Sequence, residues 1–241
     1  MDGSSEHQHL LAALQAAGDA GYQAGSQMVT KSGLRIYGVR VPVRRQIARD
    51  WQQDHPQTPW PEVLALVESL WLGESLEERS LAILLLERYK RHIPRLAWDH
   101  FNRWRRLLDN WEVTDGLATA VFGPWIIADP ANRQSHLEDL IADQDVWSRR
   151  LALVATVPMN RSAKTGRPDL TFELIEQVKA ERHPMITKAV SWALRTMIKI
   201  WPERVTAYLE ANRDTLAGHV AREVDNKLTT GLKSGKDSSG P

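Results

Sequence analysis

The chain has 241 residues, of which 42% are hydrophobic and 25% are charged, and its formal net charge is +1. This composition is typical of one compact domain or a short solenoid with a buried core, and it excludes a largely disordered chain. The lack of cysteine in the sequence excludes disulfide bonds, thiolate zinc sites and a cysteine nucleophile.

The first residues, MDGSSEHQHL, lack the charged and then apolar layout of a secretory signal. No later stretch approaches the run of about 20 apolar residues that a membrane-spanning helix needs, so we expect a cytoplasmic protein without membrane contacts. None of the eight histidines forms an HxxxH or HExxH pair, and we therefore predict no metal site. His7 and His9 are interpreted as solvated side chains of a polar terminus.

Two segments of the chain are strongly basic. The first, between Lys31 and Asp50, holds six cations and one acid, and the second, between Arg88 and Arg106, holds seven cations and one acid. Phosphate binding depends on where cations lie rather than on their total, so a nearly neutral chain can still present a DNA-binding face. The alternative is that these segments are ordinary solvated helix faces.

Apolar residues recur every three or four positions in almost every segment longer than ten residues, and alternating strand patterns are absent. Examples are PEVLALVESLW, TFELIEQVKA and PERVTAYLEAN. The sequence therefore predicts an all-α fold. We expect one repeat domain over residues 1–230 and a flexible tail over residues 231–241, where the sequence becomes GLKSGKDSSGP.

An internal repeat becomes visible when EERSLAILL, WEVTDGLAT, VWSRRLALV and MITKAVSWA are aligned. Ser80, Asp115, Arg150 and Lys188 are then equivalent, at offsets of 35, 35 and 38 residues. Periods near about 40 residues with two helices each indicate a HEAT-like α-solenoid of antiparallel helix pairs. We expect the equivalent positions to line a concave basic groove, where Asp115, Arg150 and Lys188 become neighbours.

Large rings and charges share helix faces in these repeats. Trp111 and Asp115 are four residues apart, Lys188 and Trp192 are also four apart, and Trp192 and Arg195 are three apart. The alternative is that the tryptophans fill the core and the charges form surface pairs. That alternative loses support at Trp111 and Trp192, because both lie within one turn of a charge at a repeat-equivalent position.

The chain resembles the DNA alkylation-repair glycosylases of the AlkD type, a HEAT-like family, over nearly its whole length. The resemblance is carried by IYGVRVPVRRQIARDW, NWEVTDG, VWSRRLALVATVPMNR and KAVSWALRTMIKIWPERVTAYLEANRDTLAGHVAREVDNKLTTGLK, which occur in the family's order. The resemblance implies an enzyme that excises purines made cationic by alkylation at N3 or N7. Departures from the family are Glu112, where some relatives carry Asp, and the segment TKSGLRIYG.

The resemblance also implies roles for single residues. Trp111 and Asp115 match a pair that faces the sugar of the damaged nucleotide, Trp192 matches a second sugar-facing tryptophan, and Arg150 matches an arginine that contacts the backbone at the lesion. An alkylated purine of this kind leaves without protonation, and one carboxylate can stabilise the oxocarbenium-like sugar and hold the attacking water. Asp115 is the predicted carboxylate, and no cofactor is expected.

The predicted partner is double-stranded DNA that contains alkylated bases, bound by a monomer that associates with the nucleoid. The candidate phosphate contacts are the cations Arg35, Arg40, Arg44, Arg45, Arg149, Arg150, Lys188 and Arg195. Two alternatives stay open. One is a non-catalytic HEAT scaffold that recognises damaged or branched DNA, and the other is a protein-binding solenoid, for which an exposed apolar groove would be expected.

Overall fold

The structure is a computed structural model of the chain, and it describes residues 3–235. Helices dominate this part of the chain, and the one β-type pairing within it is an isolated parallel bridge between Arg35 and Ser75. The predicted all-α fold is therefore confirmed. The chain divides into two compact units between Val121 and Phe122, each with its own hydrophobic core.

The first unit consists of seven α-helices and one 3-10 helix within the described residues. They are α1 (Gly3–Ala16), α2 (Ala20–Thr30), α3 (Val41–Asp54), α4 (Trp60–Trp71), α5 (Leu76–Arg88), a 3-10 helix (Lys90–Arg95), α6 (Trp98–Arg105) and α7 (Trp111–Leu117). A π-helical segment, Ala118–Phe122, follows α7.

These helices form two layers. In one layer α1 packs against α4, and α4 meets α6 through Trp71 and Trp104, whose ring centroids are 5.4 Å apart. In the other layer α3 packs against α5, and α5 packs against α7. Short loops connect the two layers, so that α4 and α5 form the antiparallel pair predicted from the repeat. We refer to α3, α5 and α7 as the site layer of the first unit.

The second unit consists of eight α-helices within the described residues. They are α8 (Gly123–Ala128), α9 (Pro130–Arg133), α10 (Ser135–Ile141), α11 (Val146–Met159), α12 (Pro168–Val178), α13 (Pro184–Met197), α14 (Pro202–Asn212) and α15 (Gly218–Thr230). One layer holds α10, α12 and α14, in which Phe172 of α12 stacks on Tyr208 of α14. The other layer holds α8, α11, α13 and α15 in that order.

The segment before α3 is held by a buried carboxylate. Glu77 of α5 is 1% exposed and accepts hydrogen bonds from the backbone N–H groups of Tyr37, Gly38 and Val39, at 3.1, 2.9 and 3.1 Å. Gly38 has a φ of +79°, and a Cβ there would lie 2.2 Å from the Asp19 carbonyl oxygen. Gly38 and Glu77 therefore fix the conformation of the segment that leads into α3.

The position of His7 corrects its interpretation as a solvated side chain. Its Nδ1 lies 2.6 Å from Ser69 Oγ and its Nε2 lies 2.7 Å from Glu78 Oε1, and its side chain is 15% exposed. Glu78 in turn forms a capping box with Ser75 at the start of α5. His7 therefore ties α1 to α4 and α5 through partners more than sixty residues away. His9 is exposed, as predicted.

Of the predicted tail, residues 231–241, the structure describes only residues 231–235. Gly231 ends α15 in the left-handed conformation, with φ of +75°, and Lys233 lies 3.2 Å from Glu223. Residues 236–241 lie outside the described residues. The single domain over residues 1–230 stays a prediction. Of the helices within residues 3–235, none is both long and apolar enough to cross a membrane.

Candidate functional site

The helices that carry the predicted equivalent residues begin in the same way. Ser75, Asn110 and Asp145 each accept a hydrogen bond from the backbone N–H three residues later, at 3.1, 2.9 and 2.8 Å, and His183 caps α13 through Met185 N at 3.2 Å. A cap fixes where a helix starts. Each equivalent residue is consequently the fifth of its helix, and the set is Ser80, Asp115, Arg150 and Lys188.

Asn110 positions the predicted catalytic pair on α7. It is fully buried, its Oδ1 accepts from Val113 N, and its Nδ2 donates to Asp109 Oδ1 at 2.7 Å. Trp111 and Asp115 are half-buried and lie one turn apart on the same face of α7. The first unit thus brings together the indole and the carboxylate that the sequence predicts to face the sugar.

The indole of Trp111 borders an open cavity of about 490 Å³. Its Nε1–H donates to the carbonyl oxygen of Val29 near the end of α2, at 3.3 Å. Tyr22 and Arg40 line the same cavity, and the Arg40 guanidinium carbon lies 4.6 Å from the centre of the Tyr22 ring. The Arg40 cation therefore covers one face of the Tyr22 ring, and the Trp111 indole is a second aromatic ring that borders the cavity.

Glu112, the neighbour of Trp111, is engaged by a buried arginine. Its Oε1 lies 2.6 Å from Arg44 NH1, and the Arg44 side chain is 1% exposed whereas the Glu112 side chain is 22% exposed. The guanidinium of Arg44 is thus buried against α7, which does not favour the predicted phosphate contact of Arg44. No local pattern indicates this pair, because its partners are 68 residues apart along the chain.

The other three candidate cations of the first unit lie at its surface. Arg35 is exposed and joins the bridge to Ser75 through its backbone. Arg40 is exposed and lies 3.4 Å from Asp19 Oδ2. Arg45 is exposed on α3 and lines a cleft with further cations. All three can be reached by a phosphate group.

Two candidate cations on α11 are tied to neighbouring segments of the second unit. The Nε of Arg149 lies 2.9 Å from Glu181 Oε1, and its NH1 donates to the carbonyl oxygen of Gln144 at 2.6 Å. Arg150 is 5% exposed, and its NH1 donates to the Met185 carbonyl oxygen at 2.5 Å. The predicted contact of Arg150 with the DNA backbone stays a prediction.

The candidate residues of α13 lie on one face of that helix. Lys188 is exposed, and Trp192 is half-buried one turn later. Arg195 is half-buried, and its Nε donates to Ser191 Oγ at 3.1 Å and lies 3.9 Å from Glu223 Oε2. Asp115 belongs to the first unit and these residues to the second, and their predicted approach to one another stays a prediction.

Several side chains around these positions were not predicted. Tyr22 and Val29 line the Trp111 cavity, although no periodicity or charge in their segment singles them out. Arg49, Arg88 and Lys90 meet Arg45 in one cleft, and for these the two basic segments of the sequence were a usable signal. Only the packing of α3 on α5 shows that the two segments combine.

Comparison with known proteins identifies the family of the chain and a similar fold. Residues 10–228 match the family model described as DNA alkylation repair enzyme. No curated protein sequence matches the chain significantly. A solved structure described as "Predicted DNA alkylation repair enzyme from Enterococcus faecalis" is similar in fold, with a TM-score of 0.71 and 17% sequence identity over 88% of this chain and 97% of that one. The chain therefore belongs to the DNA alkylation repair enzyme family, which supports a role in the repair of alkylated DNA.

Proposed function

We propose that the chain is a DNA glycosylase that hydrolyses the N-glycosidic bond of purines made cationic by alkylation at N3 or N7 in duplex DNA. One observation carries the proposal: Trp111 and Asp115 lie one turn apart on one face of α7, and both are half-buried. An indole face and a carboxylate together are suited to stabilising positive charge on a sugar.

The cationic leaving base determines what the site must supply. The bond between the deoxyribose C1′ and the purine nitrogen breaks, and its electron pair neutralises the departing base, so that no general acid is needed. Positive charge then develops on the sugar, where the Asp115 carboxylate offsets it. The oxygen of a water molecule bonds to C1′, and Asp115 accepts the proton that the water loses.

The neighbouring contacts favour Asp115 over Glu112 as the acting acid. Glu112 is held 2.6 Å from the buried guanidinium of Arg44, and that pair maintains the packing of α3 against the start of α7. A carboxylate that neutralises a buried cation cannot move to a substrate without leaving that charge unpaired. Asp115, one turn after Trp111, is the acid that we assign to the sugar.

The indole rings and the exposed cations complete the proposal. Trp111 borders the open cavity beside α2 and would exclude bulk water from one side of the sugar. For Trp192, half-buried on α13, we propose the second sugar contact that the family resemblance implies. The proposed phosphate contacts are the exposed cations Arg35, Arg40, Arg45 and Lys188.

Base release from a duplex that carries N7-methylguanine tests the proposal under single-turnover conditions with excess protein. We expect Asp115→Asn to lower the rate by about 10²–10³-fold, the loss typical when one preorganised charge-stabilising group is removed. Duplex affinity should stay close to that of the wild type. Asp139→Asn is the matched control, because Asp139 is a 78% exposed acid on α10.

Two results would contradict the proposal. Unchanged release by Asp115→Asn would remove Asp115 from the mechanism. If the wild type bound the methylated duplex tightly but released no base, the chain would be a DNA-binding scaffold instead of an enzyme.

A further inference from the structure

The acid just ahead of α7 joins this helix to the loop after α2. Asp109 lies two residues before Trp111, and its Oδ2 accepts hydrogen bonds from Ser32 Oγ at 2.7 Å and from Gly33 N–H at 2.8 Å. These partners precede Asp109 by 77 and 76 residues along the chain. The carboxylate therefore holds the loop after α2 on the start of α7, and we refer to Ser32, Gly33 and Asp109 as the loop clamp.

A buried side chain aims the carboxylate at the loop. Asp109 Oδ1 accepts a hydrogen bond from Asn110 Nδ2 at 2.7 Å, and Asn110 is 0% exposed. Asn110 is itself held by the hydrogen bond from Val113 N–H to its Oδ1. Because this fixed amide engages one carboxylate oxygen, the other oxygen is left to face Ser32 and Gly33. Hydrogen bonds to a charged acceptor are roughly twice as strong as those between neutral groups, so the loop clamp is stronger than an ordinary loop contact.

The loop clamp supports the contact between α2 and the Trp111 ring. Val29, three residues before Ser32, accepts the Trp111 Nε1–H through its carbonyl oxygen at 3.3 Å, and Val29 and Trp111 both border the open cavity. A neutral hydrogen bond of this length contributes little by itself. Lys31, the C-cap of α2, has a φ of +53°, a region that a residue with a side chain occupies at an energetic cost. The end of α2 therefore depends on contacts outside its own turn to stay beside the indole, and Asp109 provides them.

We propose that Asp109 is a positioning residue for base release: through the loop clamp it keeps the end of α2 beside Trp111 and so limits how far the indole turns away from the sugar. Asp109 touches no substrate in this role and acts only through α2 and the ring. The inference rests on the proposed function, since it takes Trp111 as a sugar contact. Loss of the loop clamp should therefore slow the reaction of bound DNA more than it weakens binding.

Amide hydrogen exchange measured without DNA tests the loop clamp itself. In Asp109→Ala the Gly33 N–H loses its acceptor, and exchange over residues 29–34 should become faster. Glu68→Gln is the matched control, because Glu68 of α4 likewise bonds three side chains of the first unit, but all three lie on α6. Exchange over residues 29–34 should be the same in this control as in the wild type. Unchanged exchange in Asp109→Ala would overturn the inference.

Single-turnover base release tests the consequence of the loop clamp. At saturating protein Asp109→Ala should slow release about tenfold, because an indole turned from the sugar loses its cation–π contribution, and Glu68→Gln should not slow it. In a Trp111→Ala background, Asp109→Ala should slow release by no more than about twofold, since no ring is left to hold. Ser32→Ala removes one contact of the loop clamp and leaves the contact of Asp109 with Asn110 in place. It should slow release to a smaller extent, and again only while Trp111 is present.

Equal slowing by Asp109→Ala with and without the Trp111 ring would overturn the inference, because the acid would then act on the fold alone. A loss confined to duplex affinity would do the same. Ser32→Ala carries the same test in the event that Asp109→Ala does not fold. Failure of the proposed function is a different result: Asp115→Asn would then release base as fast as the wild type, while amide exchange, which needs no DNA, would still show whether the loop clamp holds α2.

Discussion

The guanidinium of Arg44 lies 2.6 Å from the carboxylate of Glu112 and joins α3 to the first turn of α7. The arginine is buried almost completely, so the pair neutralises a charge inside the first unit rather than at its surface. The two acids of the WEVTD segment therefore differ in role. Glu112 maintains packing, and Asp115 is proposed to act on the sugar.

Loss of one partner of this pair should destabilise the first unit. We expect Arg44→Leu to lower the free energy of unfolding by about 3–5 kcal/mol, because Glu112 would keep a partly buried charge without its cation. The double variant Arg44→Leu with Glu112→Leu should recover much of the loss. Urea unfolding of both single variants and the double variant measures the coupling, and strictly additive losses would contradict a direct interaction.

The cap of α7 should matter for both stability and activity. Asn110→Ala removes the acceptor for Val113 N–H, and we expect a loss of about 1–2 kcal/mol in the free energy of unfolding. Because the cap fixes where α7 starts, base release should fall more than duplex affinity. Asn110→Ser keeps a neutral acceptor for the cap without placing a second carboxylate beside Asp109, and it should retain more of both properties than Asn110→Ala. Equal activity in the alanine and serine variants would show that the cap does not position Asp115.

The ring face of Trp111, and not only its N–H, should support the reaction. We expect Trp111→Ala to slow single-turnover base release by about 10–30-fold, equivalent to a cation–π contribution near 1.4–2 kcal/mol. Trp111→Phe keeps an aromatic face but loses the hydrogen bond to Val29, and its rate should lie much closer to that of the wild type. If both variants slow release equally, the contact with α2 is the important feature of Trp111.

The stability of the first unit should depend on pH through Glu68. Burial alone would raise the pKa of Glu68, but hydrogen bonds from His100, Trp104 and Arg103 outweigh it and hold the pKa below the ordinary value of 4.5. A lowered folded-state pKa contributes stability that is present above pH 4.5 and is lost as pH falls through the folded-state value.

Unfolding measured from neutral pH down to acid checks this dependence. Glu68→Gln should be less stable than the wild type at neutral pH, and the difference should shrink as the pH falls below 4.5 toward the lower folded-state pKa, where the carboxylate of the folded wild type becomes protonated. A difference that stays constant down to the lowest pH would contradict the assignment. The variant should leave base release unaffected at neutral pH, because Glu68 lies on α4 outside the site layer.

Local patterns in the sequence determined the helices and the register of the repeats. Spacings of three and four residues act within one turn, so Trp111 and Asp115 could be placed on a single helix face from the sequence alone. The family resemblance added the chemistry proposed for that face.

Only the tertiary structure decided which charged side chains are exposed to a ligand and which are buried. Arg44 and Arg45 are adjacent and look equivalent in sequence, yet one is buried against Glu112 and the other lines an open cleft. His7 was likewise drawn into contacts with Ser69 and Glu78. Whether a charge is buried depends on which helices pack together, and these helices are far apart in the sequence. The free energy of a buried charge is set by partners distant along the chain, so local periodicity does not predict it.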